Sequence, residues 1–257
     1  MESTITFLND GRGWPPTRPD SVNANSLRLS MNELSRIDWL GRKIEGIVFD
    51  VDGTLTDSID SYYEVFRQAM EQVGIPVNRE EVLSPMASGQ PIWDWAIPKD
   101  LENREEKIRL CKKVIPEIFR EVFSRVQPFP KLPEVLKKLK AKGIHLGVVT
   151  SSWTSAVRPL RDHSLDHYFK AIVTREDGLK LKPSPDSILE CLRRMEVDPA
   201  HALTVGDTPM DIQAGKAAGT FTIGVLTGIG NRQQLEAESP TAIIDGVAHI
   251  LSVLNLA

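Results

Sequence analysis

The stretch that decides the fold is residues 44–57, which read IEGIVFDVDGTLTD. The first part, residues 44–49, is a short and nearly continuous apolar run that is rich in β-branched side chains. Such a run is typical of a β-strand that is buried on both faces. The second part is polar and begins with Asp50, Asp52 and Gly53. The stretch therefore predicts a buried strand that ends in a turn carrying two acids.

Similar apolar runs recur along the rest of the chain, and stretches with helical patterning separate most of them. Strands that alternate with helices are typical of a parallel sheet with right-handed crossovers. The sequence therefore predicts an α/β fold with a parallel, Rossmann-like sheet flanked by helices. The predicted strands are residues 44–49, 144–149, 171–173, 202–205, 221–225 and 242–244.

Proline, glycine and hydroxyl residues mark where the helices between these runs begin and end. We expect one helix to open at Pro133 and to close at Gly143. Two further helices are expected to start with a capping hydroxyl that is followed by proline as the first helical residue. These pairs are Ser184 with Pro185 and Thr208 with Pro209, and Gly219 closes the second helix.

One long interval interrupts the alternation of strands and helices. More than ninety residues separate the first apolar run from the second, whereas a crossover needs only about 10–12. Residues 58–128 show helical patterning and are predicted to form an inserted helical cap domain, hinged near residues 56–58 and 127–130. The α/β core catalytic domain would then comprise residues 44–57 and 129–257.

Residues 1–43 differ in composition from the rest of the chain, because they are rich in Asn, Ser, Arg, Pro and Gly. The segment GRGWPP at residues 11–16 cannot form regular structure, since proline lacks a donor and glycine lacks restraint. We expect residues 1–43 to form a mobile N-terminal extension. Met31 is an alternative start site, so the natural presence of residues 1–30 stays open.

The composition argues against several classes of protein. Hydrophobic residues make up 41% and charged residues 26%, which is unlike a disordered chain. The net charge is −4, so no nucleic-acid partner is expected, and no apolar run is long enough for a membrane span. The two cysteines, Cys111 and Cys191, lie far apart in the sequence and fit a reducing, cytoplasmic location. Both a monomer and a homodimer are compatible with the sequence.

Polar residues follow four of the predicted strands. Asp50 and Asp52 follow the first strand, Thr150 follows the second, Lys182 lies in the loop after the third, and Asp207 follows the fourth. In open parallel sheets, ligands bind beyond the carboxyl ends of the strands. We therefore expect these side chains to converge on one edge of the sheet.

Carboxylates that converge in this way repel one another. Two unit charges about 4 Å apart cost about 4 kcal/mol at an effective dielectric constant of about 20. A divalent cation with oxygen ligands relieves this repulsion, and Mg²⁺ is the usual one. Lys182 adds a positive charge, Thr150 adds a hydroxyl donor, and Gly53 allows backbone N–H groups to approach an anion. The site is therefore predicted to bind Mg²⁺ and to receive a phosphoryl group.

These stretches resemble the four motifs of the haloacid dehalogenase superfamily of phosphohydrolases. Within it, the sequence is most similar to the phosphoglycolate phosphatase branch, whose members carry a helical cap between the first and second motifs. The resemblance covers residues 44–255 and implies hydrolysis of a small phosphorylated metabolite. The stretches that carry it are FDVDGTLTDS (49–58), VVTSS (148–152), KPSPD (182–186), VGDTPMD (205–211) and GVLTGIGNRQQLEAES (224–239).

The resemblance implies a role for each catalytic position. Asp50 would be the nucleophile that becomes an aspartyl-phosphate. Asp52 would be the acid that protonates the leaving alcohol and then the base that activates water. Thr150 would hydrogen-bond the phosphoryl oxygens, and Lys182 would neutralise the developing charge. Because a halide leaves without a proton, Asp52 also favours phosphate esters over haloacids.

The resemblance also implies the ligands of the metal and of the substrate. Mg²⁺ would be held by Asp50, the main-chain carbonyl of Asp52 and Asp207, with Asp211 acting behind them or through water. Family members often carry Asn where this chain has Ser151, so backbone groups are expected to matter more there than the side chain. The residues expected to bind the substrate are Gly53, Thr54, Ser151 and, in a cap loop, Gly89.

Three alternatives use related chemistry. A sugar phosphomutase of the β-phosphoglucomutase type has the same nucleophile and acid, but its cap keeps water from competing. A pyrophosphatase or nucleotide phosphatase would differ in cap residues. A receiver-like signalling module would retain the phosphate on Asp50 as its output, and the inserted cap and Asp52 argue against it. Which phosphate ester is the substrate stays open, because the cap loops select it.

Overall fold

All six predicted strands occur in the computed structural model and lie in one sheet, so the predicted parallel α/β fold is confirmed. The structure describes residues 6–7, 37–39, 42–87 and 92–256. Within these ranges the strands are β1 (Thr6–Phe7), β2 (Ile37–Trp39), β3 (Arg42–Ile44), β4 (Gly46–Phe49), β5 (His145–Val149), β6 (Ala171–Val173), β7 (Ala202–Gly206), β8 (Phe221–Val225) and β9 (Ala242–Ile244).

The sheet places the first motif at its centre. Its strand order is β1-β9-β8-β7-β4-β5-β6, and every neighbouring pair is parallel except β1 with β9. Because β4 lies between β5 and β7, the residues that follow Phe49 emerge between two other strand ends. The remaining two strands, β2 and β3, pair with each other as a separate hairpin.

Helices cover both faces of the sheet, and side chains of β4 alternate between the two faces. Ile47 and Phe49 belong to one buried cluster, whereas Val48 belongs to the other. Each fully buried side chain of this size contributes about 1.5–3 kcal/mol of transfer free energy. The helices are α1 (Ile59–Glu71), α2 (Arg79–Ala87), α3 (Ile92–Ala96), α4 (Arg104–Phe123), α5 (Leu132–Ala141), α6 (Arg158–Asp162), α7 (Asp186–Met195), α8 (Pro209–Ala218), α9 (Arg232–Ala237) and α10 (Ile250–Val253).

Helices α1 to α4, which we call the cap, are inserted between β4 and α5 and have an apolar core of their own. The two chain segments that enter and leave the cap lie side by side. The backbone N–H of Asp57 donates to the carbonyl of Gln127 at 2.9 Å, and that of Phe129 donates to the carbonyl of Leu55 at 2.9 Å. The two chain segments that connect the core with the cap are therefore hydrogen-bonded to each other, close to the predicted hinge positions.

The predicted helix boundaries agree with the structure at α8 and differ at α7. Thr208 caps α8 in a capping box with Asp211, and Gly219 ends that helix with φ +85°. The prediction that Ser184 caps the next helix upstream is wrong by one residue, because α7 begins at Asp186. The Ser184 hydroxyl donates to the Asp186 carboxylate at 2.8 Å instead of accepting from a backbone N–H.

Parts of the predicted N-terminal extension contribute strands. Thr6 and Phe7 pair antiparallel with β9 at the edge of the sheet, and the hairpin of β2 and β3 precedes β4. The sequence patterns predict neither β1 nor β2, and of β3 they include only Ile44, which was expected to begin the first core strand. The segment 11–16, Met31 and the cap loop that contains Gly89 lie outside the described residues. Among the residues that are described, no helix combines the length and apolarity needed to cross a membrane.

Candidate active site

Most of the predicted site residues line one pocket beyond the carboxyl ends of β4, β5 and β7. Asp50 and Thr150 directly follow the last buried apolar side chains of β4 and β5, and Asp207 follows Gly206 at the end of β7. Further lining comes from the cap, through Met86, and from the core, through Met210 and Ile229. The predicted residues that line the pocket are Asp50, Asp52, Thr150, Ser151, Lys182, Asp207 and Asp211.

A buried ammonium group joins two buried carboxylates at the centre of the pocket. Lys182 Nζ donates to Oδ1 of Asp50 and to Oδ1 of Asp211, each at 2.5 Å. The side chains of Lys182, Asp50 and Asp211 are 7%, 10% and 2% exposed. Removing such a cation would leave two uncompensated charges in a low-dielectric environment, which is strongly unfavourable.

Burial and the opposite charge of the partner act against each other on the pKa values of Asp50 and Lys182. Burial raises the pKa of Asp50 well above its usual range, and the Lys182 ammonium only partly offsets this. Burial alone would lower the pKa of Lys182, but the charges of Asp211 and Asp50 raise it above its usual value. The pocket therefore keeps the lysine charged while making further negative charge unfavourable.

Asp207, which is 1% exposed, is held from two sides. Thr54 donates its hydroxyl to Oδ1 at 3.4 Å, and the backbone N–H of Ile229 donates to Oδ2 at 2.8 Å. Burial, and then the nearby charge of Asp211, raise the pKa of Asp207 to about 7. A carboxylate in this position is fixed in orientation and is short of positive charge.

The loop after β8 packs directly against Asp207. A Cβ atom added to Gly228 would collide with Oδ2 of Asp207, and one added to Gly230 would collide with its carbonyl oxygen. The hydroxyl of Thr227 in the same loop donates to the carbonyl of Gly53 at 2.6 Å. The glycines therefore allow a backbone approach that side chains would block.

Gly53 and Thr54 lie next to the pocket but are not among its lining residues, so their contact with the substrate stays a prediction. The N–H of Gly53 donates to the carbonyl of Thr56 at 2.9 Å, so this amide closes a turn. Gly53 has φ +76°, which explains why glycine occupies this position. Thr54 is fully buried, and its hydroxyl is directed at Asp207.

Asp52 is held by three hydroxyl groups. Ser58 donates to its Oδ1 at 2.8 Å, whereas Tyr62 and Ser152 donate to its Oδ2 at 3.0 Å and 3.3 Å. Burial raises the pKa of Asp52, and the three hydrogen bonds act in the opposite direction. This raised pKa favours the protonated form that a general acid requires.

Thr150 and the two residues that follow it form a tight turn at the end of β5. Thr150 is 3% exposed, and its Oγ1 accepts from the backbone N–H of Ser152 at 3.0 Å. Asp211 also has a local role, since its Oδ2 accepts from the N–H of Thr208 at 3.0 Å and from its hydroxyl at 2.6 Å. Both carboxylate oxygens of Asp211 are thus engaged by protein groups.

Sequence reasoning missed the partners of Asp52 and Asp207. Tyr62 occupies an apolar stripe position of α1, and a buried phenol in such a stripe signals that its hydroxyl needs a partner. Ser58 occupies the N-cap position of α1 but makes no capping hydrogen bond. Ile229 lies between two glycines, and the only sequence signal for it is the resemblance of the surrounding stretch, residues 224–239, to the family.

Comparisons with known proteins agree with this geometry. A family model described as haloacid dehalogenase-like hydrolase matches residues 47–225. The phosphoglycolate phosphatase of Escherichia coli (strain K12) is 31% identical over 236 residues, which cover 83% of this chain and 93% of that protein. The match therefore includes both the core and the inserted cap.

Solved structures share the architecture. A structure described as a predicted phosphoglycolate phosphatase from Haemophilus somnus 129PT has a TM-score of 0.71 at 26% identity, covering 82% of this chain and 97% of that one. A β-phosphoglucomutase from Clostridium difficile has a TM-score of 0.68 at 22% identity with the same coverage, which shows a shared fold alone. Because the family model spans most of the chain, this protein belongs to the haloacid dehalogenase-like hydrolases, and it is a phosphoric monoester hydrolase.

Proposed function

We propose that the chain hydrolyses a small phosphomonoester with the help of Mg²⁺, through an aspartyl-phosphate formed on Asp50. The observation that carries the proposal is the buried contact between Lys182 and Asp50, in a pocket that also contains Thr150 and Asp207. A carboxylate, a neutralising ammonium and a hydroxyl donor are the groups that phosphoryl transfer needs for positioning and for charge stabilisation.

In this proposal Asp50 forms a bond to phosphorus while the ester oxygen departs. Lys182 offsets the negative charge that develops on the phosphoryl oxygens, and Asp211 keeps the lysine in place. Thr150 donates a hydrogen bond to a phosphoryl oxygen, with backbone groups near Ser151 assisting. Asp52 delivers a proton to the leaving oxygen and later accepts one from the water that hydrolyses the aspartyl-phosphate.

The donor atoms of the pocket suit Mg²⁺. Asp50 and Asp207 are buried carboxylates whose pKa values are raised by burial and by neighbouring negative charge, so a cation between them is favoured. Within the described ranges, no group of three or more His, Cys, Asp or Glu side chains is placed to hold a metal ion by itself. Mg²⁺ needs no such group, since it usually binds one or two carboxylates, keeps waters and contacts substrate phosphate. When bound, it would supply positive charge at the phosphoryl oxygens; Asp50, Asp207 and the carbonyl of Asp52 would hold it, with Asp211 acting through water.

The substrate that we propose is a small alkyl phosphate such as phosphoglycolate. The support is the relationship to proteins that bear the name phosphoglycolate phosphatase, together with the preserved pairing of cap and core. Both cysteines are buried and free, which suits the reducing cytoplasm where such metabolites occur. We propose no nucleic-acid or membrane partner.

The first test asks whether Asp50 carries the phosphoryl group. Wild-type protein is incubated with Mg²⁺ and phosphoglycolate, quenched in acid and digested, and phosphorylated peptides are located by mass spectrometry. We expect free phosphate in the steady state and a phosphorylated Asp50 peptide after the quench. Asp50→Asn should lose at least about a thousandfold in kcat. Near wild-type turnover by Asp50→Asn would remove this residue as nucleophile. In a parallel incubation with a hexose phosphate, an isomeric hexose phosphate in place of free phosphate would identify a mutase.

The second test addresses Asp52. Asp52→Asn should slow hydrolysis of an alkyl phosphate far more than that of para-nitrophenyl phosphate, because an aryl leaving group needs little proton assistance. Equal losses on the two esters would exclude Asp52 as the general acid.

A further inference from the structure

Tyr62 links the cap to the acid–base carboxylate of the core. It belongs to α1, the first helix of the cap, and it is 9% exposed. Its phenol oxygen lies 3.0 Å from Oδ2 of Asp52 and 2.7 Å from Oγ of Ser152. Both partners belong to the core, so this hydroxyl crosses the boundary between the two parts of the molecule at the pocket itself.

The cap's own core fixes the tyrosine ring. Phe123 meets it edge-on with ring centroids 4.9 Å apart, and Phe119 does so at 6.0 Å. Those two rings stack on each other in α4, with centroids 3.7 Å apart. Since the ring is held by the cap, the position of the hydroxyl follows the position of the cap.

The three hydroxyls around Asp52 are not equivalent. Ser58 lies where the chain enters the cap, and Ser152 follows a strand of the core, whereas the phenol of Tyr62 is carried by a cap helix. Its hydrogen bond to Asp52 therefore requires the present separation between cap and core. Oδ2 of Asp52 lies 3.0 Å from the Tyr62 hydroxyl and 3.3 Å from the Ser152 hydroxyl, and these two hydroxyls lie 2.7 Å apart, so two O–H protons are shared among the three contacts of a closed triangle of oxygens.

We propose that Tyr62 is a positioning residue that orients Asp52 for proton transfer when the cap sits over the pocket. This inference rests on the proposed function, because it takes Asp52 as the acid. In the first half-reaction the bond between Asp50 and phosphorus forms, the ester bond breaks, and the proton of Asp52 moves to the leaving oxygen.

The same arrangement explains how acid–base chemistry would depend on the cap. When the cap moves away, Asp52 loses the hydroxyl that the cap carries but keeps Ser58 and Ser152. The carboxyl is then less firmly oriented toward an ester oxygen. Tyr62 would thus restrict efficient proton transfer to molecules in which cap and core have come together around a substrate.

The test compares Tyr62→Phe with Tyr63→Phe on an alkyl ester, phosphoglycolate, and an aryl ester, para-nitrophenyl phosphate. Tyr63 is the matched control, since it is a half-buried neighbour on the same helix that packs on the cap core. We expect Tyr62→Phe to lower kcat for the alkyl ester about 10- to 100-fold, with KM and the aryl rate within about threefold of wild type. Tyr63→Phe should leave both rates unchanged. The ratio of the two rates does not depend on the amount of folded enzyme, so partial unfolding cannot imitate the expected result.

Equal losses of Tyr62→Phe on both esters, or a change in KM alone, would overturn the proposal. The double variant Asp52→Asn/Tyr62→Phe adds a second criterion. If Tyr62 acts through Asp52, the double variant should hydrolyse the alkyl ester at most about twofold more slowly than Asp52→Asn does. A full additional loss in that background would show a different role for the phenol. If Asp52→Asn itself fails to discriminate between the esters, the proposed function fails first; if it discriminates and Tyr62→Phe does not, this inference fails alone.

Discussion

Replacing Asp207 by Asn should stabilise the metal-free protein, and more so at alkaline than at acidic pH. In the folded chain, burial and the charge of Asp211 raise the pKa of Asp207 from its ordinary value of 3.8 to about 7. The ionised carboxylate is therefore less favourable in the folded protein than in the unfolded chain. Asparagine has nearly the same shape, and its amide oxygen can still accept from the N–H of Ile229.

The sign and size of the effect follow from linkage. Below about pH 4, Asp207 is protonated in both states and does not affect stability. Between about pH 4 and pH 7 the unfolded chain ionises while the folded protein stays protonated, so folding becomes less favourable as the pH rises. Above about pH 7 the loss is complete, and a tenfold change in ionisation constant corresponds to about 1.4 kcal/mol, which gives about 4 kcal/mol in total.

Urea-induced unfolding with a chelator present measures the effect, and Asp100→Asn at an exposed position is the control. We expect the gain of Asp207→Asn over wild type to be larger at about pH 8 than at about pH 5 by about 2–3 kcal/mol. The difference between the two pH values removes any pH-independent change in hydrogen bonding. Mg²⁺ at a hundredfold excess over its Kd should raise the free energy of unfolding of the wild type by about 3 kcal/mol. The same Mg²⁺ concentration should raise that of the variant much less.

If the stability of Asp207→Asn relative to wild type does not grow with pH, the pKa of Asp207 is not raised in the folded protein. If Asp207→Asn is less stable than wild type, and more so at about pH 8 than at about pH 5, then the charge of Asp207 is compensated within the folded protein. A matching pH dependence in Asp100→Asn would point to the net charge of the chain as the cause.

Three further outcomes are expected. Lys182→Met should lower the free energy of unfolding by about 3–5 kcal/mol in denaturant titrations, because two buried carboxylates lose their cation. It should also lower kcat at least about a hundredfold, and wild-type values of either quantity would contradict this. Gly228→Ala should raise the Mg²⁺ concentration for half-maximal activity at least about tenfold, since its Cβ collides with Asp207; an unchanged Mg²⁺ titration would count against it. Burial raises the pKa of Cys191 to about 12, so iodoacetamide at about pH 8 should label it only after unfolding, and equal labelling of native protein would be inconsistent with this.

The strands of the core were predictable because their signal is local. A strand buried on both faces needs consecutive apolar residues, and the runs that end at Phe49, Val149 and Val205 meet that need within a few positions. The helix start at Thr208 was also predictable, since a capping hydroxyl acts on an N–H only three residues away. Where a similar pattern failed, at Ser184, a nearby aspartate competed for the same hydroxyl.

Features that depend on distant partners were not predictable in this way. The edge strand at Thr6 and Phe7 has only two residues, and its pairing with β9 joins opposite ends of the chain. Gly53 and Thr54 were expected to contact the substrate, and the structure adds that the Gly53 N–H donates to Thr56 and that the Thr54 hydroxyl donates to Asp207. Nothing in the local pattern distinguishes a residue that faces a ligand from one that supports the residue that does.

The α/β architecture, the place of the helical insertion and the residue types at the strand ends follow from the amino-acid sequence, because short-range periodicity and strand-end chemistry depend on neighbouring residues. The contacts in which Lys182 bridges Asp50 and Asp211, Ile229 holds Asp207, and Tyr62 reaches Asp52 from the cap follow from the three-dimensional packing. Those contacts join residues that lie between 10 and 132 positions apart in the chain. They depend on packing geometry at the scale of a hydrogen bond, which residue identity and spacing alone do not specify.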